Sequence, residues 1–194
     1  MAPTASRFLS PIVALLKGAD VQKIAFIGEA VSITPQGYMQ VADALTDGTI
    51  RIVERATLPH DFSAGYVPAR NVLLIKPGLD LSAVRMRGLI VHEMTHAQID
   101  LIGLPASRGL HRTEGEGLSY IAQVLYIFLA DGDTRNIPNN FRFFRVAEAI
   151  RQKITASRRS PYVVSSDDMR ALRNAVGQDP HYLHIRGMLA ESDG

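Results

Sequence analysis

Cysteine is absent from the 194 residues. Disulfide scaffolds, thiolate metal sites and cysteine nucleophiles are therefore excluded. The compartment stays open, because disulfide-free proteins occur on either side of a membrane. No apolar run approaches the roughly 18–20 residues of a membrane span, so no transmembrane helix is expected. An excess of one charge is also lacking. Lys and Arg number 21 against 19 Asp and Glu, and a net charge of +2 gives no reason to expect nucleic acid as the partner. Internal repeats and low-complexity tracts are missing as well. What is present is a chain 46% hydrophobic and 21% charged, a balance that excludes wholesale disorder and supplies a sizeable core without metal or disulfide staples.

Near the N-terminus Arg7 precedes an apolar stretch at 8–16. Pro11 interrupts it, Lys17 follows early and no small-x-small cleavage site is present. It reads as an amphipathic first helix rather than a secretory signal, and a cytoplasmic location is favoured. Up to residue 80, short β-like runs alternate with turn signals. Residues 23–27 and 30–33 are apolar on either side of Gly28, and 36–45 can form a short helix with Tyr38, Val41, Ala42 and Leu45 on one side. Asp47-Gly48 marks a turn, after which 49–54 alternates as a half-buried strand should. The segment 58–70, with Pro59, Gly65 and Pro68, reads as a loop; 71–75 reads as a strong strand stopped by Pro77-Gly78.

From residue 81 the period changes to that of helices. The spacing predicts one over 82–102, stopped by Gly103 and Pro105, and another over 115–130, ended by Asp131-Gly132-Asp133. Further helices are expected from Asn139 or Asn140 to about 155, from Ser165 or Ser166 to about 176, and over 180–190. Strands first and helices after is an α+β order. A single domain over 1–194 is expected: a mixed part at 1–80, two helices at 81–130 and a helical part at 131–194. Charge is uneven along it, with nine basic and three acidic residues between Arg135 and Arg173. Solvated faces of amphipathic helices account for such a run. No aromatic-basic interleaving of a nucleic-acid module accompanies it.

The chemistry lies in His92-Glu93-Met94-Thr95-His96, inside the helix expected over 82–102. At about 100° per residue, His92 and His96 lie about 40° apart and one turn apart in height, so both imidazoles can reach a single ion. Ile90, Met94, Ala97 and Leu101 form a stripe roughly opposite, which gives the helix an apolar side for the core and an imidazole side for a cleft. Glu93 follows the first imidazole directly. There it can take a proton from a water whose pKa zinc brings toward neutrality.

Two imidazoles leave a tetrahedral ion in need of one more protein ligand and a water. Asp100, His111, Glu114 and Glu116 are the candidates. Asp100 is one turn beyond His96 on the same helix and is better placed to bond His96 than the ion. In the next helix Leu118, Ile121, Ala122, Leu125, Phe128 and Leu129 share an arc of about 120° that must face the core. Glu116, Tyr120, Gln123 and Ile127 fall on the other side. Glu114, before Gly115, is expected in the loop that leads into the helix, where its charge favours the helix start. Glu116 is therefore preferred over Glu114.

His92-Glu93-x-x-His96 followed by Glu116 resembles the gluzincin group of zinc metallopeptidases, of which thermolysin is the familiar member. Glu116 stands twenty positions after His96, as in the thermolysin type. The flanking Ile90-Val91 and Ala97 also resemble small bacterial zincins. The resemblance covers about 35 residues. It implies a zincin-like fold, with a small twisted sheet before the motif helix and an edge strand lining the cleft. The segment 71–75 is the natural candidate for that edge, to which an extended peptide or protein substrate adds through main-chain hydrogen bonds. It further implies Zn²⁺ on His92, His96 and Glu116, with Glu93 as general base. The thermolysin type carries Asp one turn after the ligand Glu; here Tyr120 stands there, and Asp100 is the substitute within reach. The metzincin pattern is absent, since Ile99 occupies its Gly position.

Peptide hydrolysis builds negative charge on a carbonyl oxygen, and a Tyr or His donor lowers that barrier. The candidates are Tyr120, His111, Tyr126, and the group His181, Tyr182 and His184, of which Tyr120 and His181 are preferred. His60 is expected to face solvent. Asp131-Gly132-Asp133 lacks the further ligands of a calcium loop. The sequence thus points to a zinc metallopeptidase. The alternative is a zincin-like binding or regulatory domain with little hydrolysis, and retention of Glu93 beside an open ligand set leans against it.

Overall fold

A computed structural model describes residues 6–58, 62–102, 110–133, 135–137 and 141–185. The first helix, α1 (Leu9–Lys17), turns Ile12 and Leu16 fully inward, as its amphipathic pattern requires. The apolar runs around Gly28 form two very short antiparallel strands, β1 (Phe26–Ile27) and β2 (Ser32–Ile33). Helix α2 (Pro35–Asp47) starts on Thr34, whose side chain accepts the Gly37 N–H at 3.1 Å, and has Pro35 in its first turn. It stops at Gly48, which takes the left-handed φ of 85° that only glycine adopts without strain.

The second sheet holds β3 (Arg51–Glu54), β4 (Ala64–Val67) and β5 (Val72–Ile75) in the order β3-β5-β4. β3 runs parallel to β5, and β4 antiparallel to it. Two expectations are corrected here. Part of the segment 58–70 is not loop but strand β4; its sequence, Ala-Gly-Tyr-Val, is too short and too mixed to signal a strand, and pairing with β5 supplies its order. The strand at 71–75 is not an edge. Having β3 on one side and β4 on the other, it is central, in keeping with a sequence, Val-Leu-Leu-Ile, that is apolar on both faces. The edge that approaches the motif helix belongs to β4.

Helix α3 (Val84–Leu101) carries the HExxH motif and is buried around most of its middle. Ile90, Met94 and Ala97 are fully enclosed as the stripe predicts, whereas Leu101 is 37% exposed at the helix end. Gln98 crosses from α3 to the start of α2: its Oε1 accepts the Thr34 N–H at 3.1 Å and its Nε2 donates to the Thr34 carbonyl at 3.0 Å. Helix α4 (Arg112–Asp131) lies along α3 in the most extensive packing among the described elements. It begins three residues earlier than expected, so Glu114 stands in its first turn rather than in a preceding loop. Its presumed non-core face is also buried. Gln123 and Ile127 pack against α3 at Gly88, where a Cβ would come within 2.8 Å of Ile127 Cγ1.

Helices α5 (Arg142–Ala156) and α6 (Ser166–Gly177) cover the far side of α4. Ser165 caps α6 by accepting the Asp168 N–H. Between these helices β6 (Tyr162–Val163) returns to pair in parallel with β1, giving a first sheet of order β2-β1-β6. A 3-10 segment, Pro180–Ile185, replaces the first half of the helix expected over 180–190; the remainder lies outside the described residues. So do Asn139 and Asn140, the proposed caps of α5. The architecture is α+β, with six α-helices and two small sheets among the described residues. No helix among them is long and apolar enough to cross a membrane.

Candidate metal centre

The i, i+4 spacing on α3 brings His92 and His96 side by side, and the antiparallel approach of α4 delivers Glu116 to the same point. His92 Nε2 and His96 Nε2 are 3.3 Å apart. Glu116 places Oε2 3.4 Å from His92 Nε2 and Oε1 3.5 Å from His96 Nε2. A tetrahedral ion with bonds of about 2.0–2.1 Å requires ligand atoms about 3.3–3.4 Å from one another. The three donors thus already lie at the spacing of one face of such a tetrahedron. Two imidazole nitrogens and a carboxylate turned toward a common point repel one another unless a cation or protons lie between them. The donor set fits zinc in charge, ligand type and spacing.

Burial differs around the triangle. The His92 side chain is 6% exposed, whereas those of His96 and Glu116 are 20% and 19% exposed. The His92 ring is held by packing: Tyr120 meets it edge-on with centroids 4.5 Å apart, and Phe143 stacks on the other part of Tyr120 at 4.2 Å. No hydrogen bond orients that imidazole from behind, because its buried Nδ1 has no partner. Burial pushes the Glu116 carboxyl up, but the charge of His96 and the hydrogen bonds from His92 and His96 outweigh this and hold it well below the usual carboxylate range. Burial conversely lowers His96, and the Glu116 charge overcomes that to raise it.

Glu93 is 8% exposed and takes no part in the donor triangle. Its Oε2 accepts the backbone N–H of Tyr66 on β4 at 2.7 Å. Burial is the main cause of its raised pKa, opposed by the nearby His92 and His96. Tyr66 was not identified as a site residue from the sequence, because nothing in Ala-Gly-Tyr-Val distinguishes it before β4 is known to be a strand. Its hydroxyl lies 2.8 Å from both Asp100 Oδ2 and Asn71 Oδ1. Asp100 therefore bonds β4, not His96 as expected; it lies at the end of α3, where Tyr66 can reach it.

Glu114 points away from the imidazoles. Its Oε2 pairs with Arg173 at 3.3 Å, and Arg173 also holds Glu29 at 2.6 Å. Burial raises the Glu114 pKa, and its Oε1 has no hydrogen-bond partner. His111 is exposed at the start of α4. Tyr126 accepts from Arg87 Nε at 2.8 Å instead of facing the triangle. The Tyr120 hydroxyl bonds that of Tyr182. Burial first, and the Glu116 charge second, raise both phenols. Of the described downstream side chains, Tyr182 meets Tyr120, whose ring packs on His92, and His181 does not. His181 is 44% exposed, with Nδ1 2.8 Å from Asp179 Oδ1 and its ring beside Phe141. The His184 side chain and His60 lie outside the described residues.

Asp131-Gly132-Asp133 ends α4, with Gly132 at φ 75° donating to the Phe128 carbonyl. Much of the basic run is internally paired: Arg135 with Asp133, Arg151 with Glu148, Lys153 with Asp168, Arg170 with Asp167, and Arg173 with Glu29 and Glu114. Comparison with protein families, curated proteins and solved structures finds no match to this chain.

Proposed function

We propose that this chain is a zinc-dependent metallopeptidase of the gluzincin type on a zincin-like fold. The observation that carries the reading is the donor triangle of His92, His96 and Glu116, with edges of 3.3 to 3.5 Å, beside a buried carboxylate that is not part of it. These three residues would hold Zn²⁺. When bound, the ion supplies Lewis acidity and brings the pKa of a coordinated water toward neutrality.

Glu93 is the general base. With Oε2 engaged by Tyr66, Oε1 remains to accept the water proton, and a carboxyl raised by burial can carry that proton to the leaving amine. The Tyr120–Tyr182 hydroxyl pair supplies a donor for the developing oxyanion. Among the described residues β4 pairs with β5 on one side only, so its other edge, where the Tyr66 N–H holds Glu93, can add an extended peptide through its remaining main-chain groups. A peptide or protein is therefore the substrate.

The test measures metal content and cleavage of unfolded casein for the wild type and Glu93→Gln. The expected result is about one zinc per chain in both, with cleavage lost by a factor of about 10²–10⁴ in the variant. A wild type without zinc overturns the metal centre. Zinc without cleavage at any pH assigns the chain to the binding-domain alternative.

A further inference from the structure

The sheet β3-β5-β4 has one face toward the helices and one that no helix or strand covers among the described residues. Ile52, Tyr66, Leu73 and Ile75 belong to the inward rows. The outward rows are Arg51, Val72 and Val67, then Val53, Leu74 and Gly65. A solvated sheet face is ordinarily polar; this one has an aliphatic strip in which Val53 is 40% exposed, Val67 and Leu74 are half-buried, and Val72, between Arg51 and Val67, is 6% exposed. β5 is apolar on both faces, the pattern of a strand enclosed from both sides.

The strip is the floor of a groove of about 320 Å³. Its rim is cationic. Arg51 and Arg55 stand along the β3 edge, and Arg70, in the turn after β4, closes the opposite side. All three are exposed, and none has an acidic partner among the described residues. Glu54, the acid of β3, points to the other face and pairs with Arg7 at 3.3 Å. This contrasts with the basic run on α5 and α6, much of which is neutralised internally. A Cβ at Gly65 would meet nothing within 4 Å, so the groove is open along its floor.

We infer that this face docks an acidic amphipathic helix of a protein partner, with its apolar stripe on Val53, Val67 and Leu74 and its flanking carboxylates on Arg51, Arg55 and Arg70. The face, unlike an edge, offers no main-chain pairing, and a single amphipathic helix can cover a sheet face through side chains alone. Guanidiniums on both flanks select carboxylates in bidentate geometry. The lining is concave and has no aromatic residue, unlike surfaces that insert into lipid. The inference is independent of the hydrolytic reading.

The probe is a fluorescein-labelled peptide of about eighteen residues, with Leu at i, i+3, i+4 and i+7 and Glu on both flanks. Binding is followed by anisotropy to the full chain. The expected result is saturable binding that weakens with salt and falls at least about tenfold for Arg51→Glu/Arg55→Glu/Arg70→Glu and for Leu74→Ser. Unchanged thermal melting of these outward-facing variants shows that folding is kept. A peptide with Lys in place of Glu should not bind. The proposal is overturned by absence of binding, by equal binding of the charge-reversed variant or the Lys peptide, or by binding to phosphatidylserine vesicles with none to the peptide.

Discussion

The backbone N–H of Tyr66 donates to Glu93 Oε2 across 2.7 Å, joining the edge of a sheet to the helix that carries the imidazoles. This contact fixes one oxygen of the carboxylate; the other is the one the proposed reaction would use. The same residue ties its hydroxyl to Asp100, two turns further along α3, so β4 grips the helix at two levels. A general base must keep its position while it exchanges a proton, and a main-chain donor on a paired strand is less mobile than a side chain. On the proposed hydrolytic reading, the strand that would receive a peptide is also the strand that positions the base.

The two carboxylates near the motif are expected to behave differently when removed. Glu116→Ala deletes one corner of the donor triangle and should abolish stoichiometric zinc, measured by elemental analysis after gel filtration. Glu114→Ala should keep the metal. It leaves Arg173 with Glu29 as partner and removes a buried oxygen that lacks one, so stability changes by only about 1–3 kcal/mol in urea unfolding. Zinc loss from Glu114→Ala with retention in Glu116→Ala would reverse the ligand assignment.

Tyr182 is the donor to test for transition-state charge. Tyr182→Phe removes the hydroxyl that meets Tyr120 while the ring still packs near Phe143. The expected result is a kcat lower by about 10²–10³, with KM and zinc content little changed. His181→Ala, which alters an exposed ring bonded to Asp179, should leave kcat within about twofold. If His181→Ala carries the loss and Tyr182→Phe does not, the downstream donor has been misassigned.

Most of the helices, and the residues that meet at the candidate centre, were legible because both depend on local spacing. His92 and His96 share a helix face by the 3.6-residue period, and Glu116 is placed by the period of its own helix. Thr34, Gly48 and Gly132 end or start helices by backbone chemistry that acts within a few residues. Strand order is a different matter. Whether 71–75 is central or edge depends on β4, whose four residues carry no apolar alternation of their own. The contacts of Tyr66 with Glu93 and of Tyr182 with Tyr120 span 27 and 62 positions, beyond any local pattern. The same holds for the burial of α4 on its second face, which needs α3 beside it.

The approach of α3 to α4 is set by Gly88, where a side chain would strike Ile127. Gly88→Val should force the helices apart and cost about 1–3 kcal/mol of stability by overpacking. Because the imidazoles are on one helix and Glu116 on the other, the same variant should weaken zinc affinity, read by competition with a chromophoric chelator. Leu89→Ala, one residue on at a half-buried position, should lower stability without the loss of affinity. Equal zinc affinity in Gly88→Val and wild type would show that helix separation does not govern the site.

The pH dependence of stability should change sign with metal. In chelator-treated protein, Glu116 is held below its ordinary value of 4.5 and His96 is raised above its ordinary 6.5. A depressed carboxyl contributes stability that is present above 4.5 and is lost as pH falls through its folded value. A raised imidazole contributes stability that is complete below 6.5 and is lost as pH rises through its folded value. The His96–Glu116 pair therefore stabilises the metal-free fold most between these two values, and Tm should decline as pH rises from about 6 to 9. Zinc competes with protons for the same imidazoles, so its binding strengthens with pH. With excess zinc, Tm should rise over that range, and His96→Ala should flatten both trends in scanning calorimetry. Parallel profiles with and without zinc would show that the three donors do not share an ion.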